Sequence, residues 1–128
     1  MKTEKVDNGV LEHWSPEDVK AAFDRNEIVL IDVRTPQEFS LERINGALLA
    51  PMQSFEPSHM PSQSEKQIVF HCGSGVRSSK VAVKYLNAGN ERIAHMEGGF
   101  GAWKKSGLEY TGTDVSTGAP KSMKDSAN

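Results

Sequence analysis

The sequence predicts an α/β fold in which a parallel sheet is covered by helices on both faces. Three observations lead there. Apolar runs at Ile28, Val29, Leu30 and Ile31, and at Ile68, Val69 and Phe70, do not alternate with polar residues, as expected of strands buried on both sides. Stretches with helical spacing of apolar residues fall between such runs, and strands alternating with helices give parallel sheets with right-handed crossovers. Asp32 and Cys72 each follow the end of such a run, which is where ligands bind in sheets of this kind.

Along the chain, Ser15 and Pro16 followed by Glu17 and Asp18 mark a helix start, with Ser15 as N-cap, Pro16 in the first position and acids in the first turn. Val19, Ala22 and Phe23 give that helix an apolar face to about residue 25. The strand at 28–31 follows, then a short helix after Thr35 and Pro36 that carries Glu38, Phe39 and Leu41. Ile44 to Leu49 reads as a turn into a short strand. From Pro51 to Lys66 the chain is rich in proline and serine, the composition of a long irregular connection fit to rim a site. A strand over 67–71, a helix over about 77–87 with Val81, Tyr85 and Leu86 on one face, a strand over 92–96 and a helix opened by Gly98 and Gly99 complete the pattern. Residues 1–9 are expected to be an N-terminal extension, 10–110 the domain, and 111–128, poor in large apolar residues, a flexible tail.

A chain of 128 residues suits one domain. Its net charge of −2 offers no general attraction to nucleic acid or to anionic membranes, so any anion preference is local. With one cysteine, Cys72, an internal disulfide, a cysteine zinc cluster and an internal resolving thiol are all excluded. The four histidines show no metal-site spacing: His71 should face away from Cys72 because strand neighbours alternate, and His13, His59 and His95 read as isolated. The start lacks the apolar core of a secretory signal, and no segment is long enough to span a membrane. A cytoplasmic location is expected, or a periplasmic one if a signal has been removed.

Cys72 opens the run Cys72, Gly73, Ser74, Gly75, Val76, Arg77, Ser78, between a strand and a helix. A glycine-containing turn at a helix N-terminus aims several N–H groups at one point, where the helix dipole adds partial positive charge. A free thiol with a pKa near ~8.5 is about 3% ionised at pH 7, and a shift to roughly 7 makes it half thiolate. That shift needs about 2 kcal/mol, within reach of oriented amides and the cation of Arg77. The alternative for the thiol is a buried cysteine behaving as a small hydrophobe. Arg77 is read as an anion-binding group, against a salt bridge to a rim acid, and Ser74 and Ser78 as sulfur donors or helix caps. Asp32 and Arg34 would shape the pocket or form structural ion pairs, with Glu38 as a partner. An ionised Asp32 beside Cys72 would oppose the thiolate.

Three motifs together resemble the single-domain sulfurtransferases of the rhodanese family: Ile31 to Phe39 (IDVRTPQEF) leading to Ile44, Asn45, Gly46 and Ala47; the loop from Cys72 to Ser78; and Met96 to Trp103 (MEGGFGAW). The resemblance implies a three-layer α/β/α domain with a five-stranded parallel sheet, a Cys72 persulfide as sulfur carrier, and no metal or organic cofactor. It also implies thiosulfate or another sulfane-sulfur donor, and a thiol, protein thiol or cyanide as acceptor. The chain has Glu42 and Arg43 ahead of Ile44, Asn45, Gly46 and Ala47 where the family often has Gly-His ahead of Ile-Pro-Gly-Ala, in a segment that is structural. Four residues separate Cys72 from Arg77, where related tyrosine-type phosphatases have five, and the tighter loop suits one sulfur better than a phosphoryl group. A non-catalytic module that senses sulfide or binds a partner, and a phosphatase or arsenate reductase on the same fold, remain the alternatives.

Overall fold

A computed structural model describes residues 1–125 of the chain. The elements are β1 (Lys2–Val6), β2 (Gly9–Trp14), α1 (Pro16–Asp24), β3 (Ile28–Asp32), α2 (Pro36–Leu41), β4 (Glu42–Arg43), β5 (Leu48–Leu49), β6 (Gln67–His71), α3 (Val76–Asn87), β7 (Arg92–Met96), α4 (Gly99–Lys105), β8 (Tyr110–Thr113) and β9 (Pro120–Met123). The main sheet has the order β1-β2-β7-β6-β3-β5. From β2 to β5 every neighbouring pair is parallel, and β1 is antiparallel to β2. The five parallel strands expected are present, with one antiparallel strand added at the edge.

Alternation along the strands sorts the side chains into two cores. Leu30, Val69, Ala94 and Met96 join Val19 and Ala22 of α1 and Phe100 and Trp103 of α4 on one face. Ile31, Ile68, Phe70, Cys72 and Ile93 join Val81, Ala82, Tyr85 and Leu86 of α3 on the other. The helices start where local chemistry says they should. Ser15 accepts from the Asp18 amide at 3.1 Å, and Thr35 with Glu38 forms a reciprocal capping box.

Two expectations are corrected. Residues 2–6, expected as an extension outside the domain, are part of its sheet and pair with β2, from Lys2 opposite His13 to Val6 opposite Gly9. Their side chains are almost all exposed, so no apolar pattern announces the strand, and main-chain pairing holds it. The segment expected as a flexible tail contains β8 and β9, which pair with each other and, through β8, with β4. Tyr110 anchors them, buried edge-on against Phe100 at 5.4 Å between ring centroids. Residues 126–128 of that tail lie outside the described residues. The proline-rich connection begins at the carboxyl end of the sheet, the Met52 amide donating to the Val33 carbonyl at 3.0 Å, and then leaves it: Phe55 plugs it into the α3-side core against Phe70, and Pro57, Met60 and Gln63 line a cavity of about 570 Å³ with Arg92, at the opposite end of the strands. Among the described residues no helix is long and apolar enough to cross a membrane.

Candidate active site

β6 delivers Cys72 to the carboxyl end of the sheet, and the chain turns at once into α3. Gly75 makes the turn with φ 101°, a left-handed conformation that costs a side-chain-bearing residue about 1–2 kcal/mol. The turn folds amides inward. The Cys72 Sγ accepts from the Gly75 amide at 3.1 Å and the Ser78 amide at 3.3 Å, and lies 3.6 Å from the Ser78 hydroxyl. The Ser74 amide also faces it. Of the loop residues expected to cradle the sulfur, Ser74, Gly75 and Ser78 engage it; Gly73 and Val76 shape the turn, Val76 pointing outward and exposed.

Cys72 is buried. Burial is the largest single influence on the thiol and pushes its pKa up, yet the Ser78 amide and hydroxyl and the Gly75 and Ser74 amides together outweigh it, and the pKa is lowered. The carbonyls of the loop are turned the other way. The amide of Phe100 donates to the Cys72 carbonyl at 2.8 Å and that of Gly101 to the Gly73 carbonyl at 3.0 Å. Only a glycine fits at the start of α4, because a Cβ on Gly99 would stand 2.6 Å from the Cys72 carbonyl oxygen.

Arg77 lies at the mouth, pinned to Glu38 of α2 by two bonds of 2.7 and 3.0 Å. The guanidinium holds Glu38 at a pKa of about 2, burial opposing and Thr35 assisting. The salt bridge to a rim acid, one of the two expectations for Arg77, is therefore formed. Asp32 and Arg34 make a buried ion pair through Nε and Nη2 at 2.8–3.0 Å, and Arg34 also donates to the Glu42 carbonyl and stacks over Phe100. The partner of Arg34 is Asp32, and Glu38 goes to Arg77. Asp32 sits on the α1/α4 side of β3, across the sheet from the sulfur and paired with Arg34, which weakens the opposition it would offer to the thiolate. His71 also points to that side, with Nδ1 donating to the Cys72 carbonyl at 3.3 Å and its pKa lowered by burial.

Two histidines read as isolated are in contact. His13 Nδ1 is 2.8 Å from His95 Nε2, and His95 Nδ1 is 2.9 Å from the Ser78 hydroxyl. The register of two parallel strands places His13 directly opposite His95. A signal was present: each is the penultimate residue of a strand that runs into a helix start, and in a parallel sheet such positions line up.

A family model for the rhodanese-like domain matches residues 15–106. The chain belongs to the rhodanese-like family. Its relatives include an uncharacterized Synechocystis protein, 36% identical over 94 residues, covering 73% of this chain and 52% of that protein. This rhodanese-like chain thus spans about half the length of that relative. A Vibrio cholerae thiosulfate sulfurtransferase is 28% identical, with 77% of this chain and 95% of that enzyme covered. The crystal structure of a rhodanese-like domain protein from Staphylococcus aureus superposes with a TM-score of 0.60 at 30% identity, covering 72% of this chain and 90% of that one.

Proposed function

We propose that this protein is a sulfurtransferase working through a Cys72 persulfide. The Cys72 thiolate attacks the outer sulfur of thiosulfate, the S–S bond of the donor breaks, and sulfite leaves with the bonding pair. A thiolate or cyanide then attacks the terminal sulfur of the persulfide, the new bond forms as the Cys72 S–S bond breaks, and the Cys72 thiolate returns. No metal or redox cofactor enters either step. Two half-reactions joined by a covalent intermediate give ping-pong kinetics.

One observation carries this reading: donors converge on a buried sulfur and lower its pKa against burial. The same amides suit an anionic persulfide. Arg77 would bind the sulfonate oxygens of the donor, since the bidentate pair with Glu38 leaves it further N–H groups. Relatives named thiosulfate sulfurtransferase support the donor class. A reducing compartment such as the cytoplasm suits a single free thiol.

Intact mass measured after exposure to thiosulfate tests the proposal. The expected result is a one-sulfur adduct that cyanide removes and that Cys72→Ser does not form; no adduct on the wild-type chain overturns it. The complete burial of Cys72 favours a second reading, a module that stores or senses sulfane sulfur. An adduct that forms but passes to neither cyanide nor a thiol would select it.

A further inference from the structure

Because Cys72 is buried, a proton leaving its thiol has no direct way to water. A row of side chains leads out. Sγ is 3.6 Å from Ser78 Oγ, Ser78 Oγ 2.9 Å from His95 Nδ1, His95 Nε2 2.8 Å from His13 Nδ1, and His13 Nε2 3.0 Å from Glu4 Oε1. Exposure rises along the row, from 0% at Ser78 and 4% at His95 to side-chain values of 22% at His13 and 57% at Glu4. We propose that Ser78, His95 and His13 form a proton relay that carries the Cys72 proton out to His13, beside the Glu4 carboxylate, and returns it when the sulfur is discharged. The proposal rests on the sulfur-transfer reading and adds to it the route by which the nucleophile ionises.

The protons balance. With the thiol intact, Cys72 donates to Ser78, the Ser78 hydroxyl to His95 Nδ1, His95 Nε2–H to His13 Nδ1, and His13 Nε2–H to the Glu4 carboxylate. On ionisation the thiol proton moves to Ser78, the Ser78 proton to His95 Nδ1, and the His95 Nε2 proton to His13 Nδ1. Sulfur becomes the thiolate, Ser78 and His95 stay neutral, and His13 becomes an imidazolium beside the Glu4 carboxylate. The bonds between the sulfur and His13 have then reversed their direction and point at the sulfur, so the relay also ends by donating the Ser78 hydroxyl to the anion it created.

His95 suits a conducting link because burial, with His13 adding to it and Glu97 and Glu4 opposing, holds its pKa down to about 4. It passes a proton without keeping one. The charged groups around the outer end come from three elements: Lys2 and Glu4 on β1, Lys80 on α3, and Glu97 after β7, which pairs with Lys2 at 3.5 Å. These groups border a cavity of about 770 Å³ that also reaches His13 and His95, so the outer end of the row opens on a polar space with room for water. A purely structural pair, each histidine satisfying the other, predicts no link to the reactivity of Cys72.

Alkylation of reduced Cys72 by iodoacetamide, followed as a function of pH with no sulfur donor present, separates the two. The relay predicts that His13→Ala and His95→Gln move the rate profile to higher pH by about one unit, a tenfold loss at pH 7. Imidazole added to His13→Ala should restore the rate by occupying the cavity. Glu4→Gln, an exposed change that spares the fold, should shift the profile in the same direction by less. Profiles superimposable on wild type in folded variants, or no effect of imidazole, overturn the relay. If these shifts appear while thiosulfate leaves no adduct on the wild-type chain, the relay stands and the sulfur-transfer reading falls; if an adduct forms while the profiles stay unshifted, sulfur transfer stands and the relay falls.

Discussion

Gly99 shows how much of the site depends on one missing side chain. A Cβ there would press into the Cys72 carbonyl oxygen and the Gly73 backbone, both at 2.6 Å, and neither is a flexible group that could give way. Gly99→Ala should therefore break the 2.8 Å and 3.0 Å bonds that hold the loop on α4, lowering stability by at least about 2 kcal/mol in a urea melt and removing sulfur loading. Gly89 is the control. It has φ 101° with nothing within 4 Å of the added Cβ, so Gly89→Ala should cost about 1 kcal/mol of backbone strain and leave the site working. This half of the site was readable because the spacing of Cys72, Gly75 and Arg77 is local, and local turns are written in neighbouring residues. That Gly99 faces the loop was not, since it depends on how α4 docks.

Between elements, the bidentate pair of Arg77 on α3 and Glu38 on α2 clasps two helices across the mouth of the site. A donor sulfonate shares this guanidinium with Glu38, whose carboxylate weakens its pull on a second anion. Glu38→Gln is expected to lower the KM for thiosulfate several-fold, and Arg77→Ala to raise it about tenfold or more, both in steady-state assays with cyanide as acceptor. A lower KM in Arg77→Ala would assign the arginine to the rim alone. The helices carrying this pair could be read because their caps, Thr35 with Glu38 and the turn at Gly75, sit beside them in the chain. The strands β1, β8 and β9 could not, because exposed residues such as Lys2, Thr3 and Glu4, or Lys121 and Ser122, carry no apolar alternation and are held by main-chain pairing.

For the molecule as a whole, buried charge decides both stability and its pH dependence. Arg34→Met would take the guanidinium from buried Asp32 and leave it only the amide of residue 34 and His71 Nε2 at 3.6 Å, a loss of about 3–5 kcal/mol by denaturant melting, whereas breaking the exposed Lys20–Asp24 pair should cost only about 0.3–0.5 kcal/mol. His95 titrates at about 4 folded against roughly 6.5 unfolded, so between those values the unfolded chain binds the extra proton. Stability is then complete above about pH 6.5 and falls as the pH drops toward 4; buried His71 acts in the same direction. The slope of melting temperature against pH in that window should flatten in His95→Gln, and an unchanged slope would contradict the assignment. The contact of His13 with His95 was the least legible feature, for it exists only through the register of β2 against β7, residues 82 apart in sequence. That register has a practical corollary for anyone trimming the protein. Both His13 and Glu4 precede residue 15, where the family match begins, so a fragment cut at that boundary would lose the outer half of the conduit together with β2 and its buried Leu11 and Trp14, and with them the strand that flanks β7.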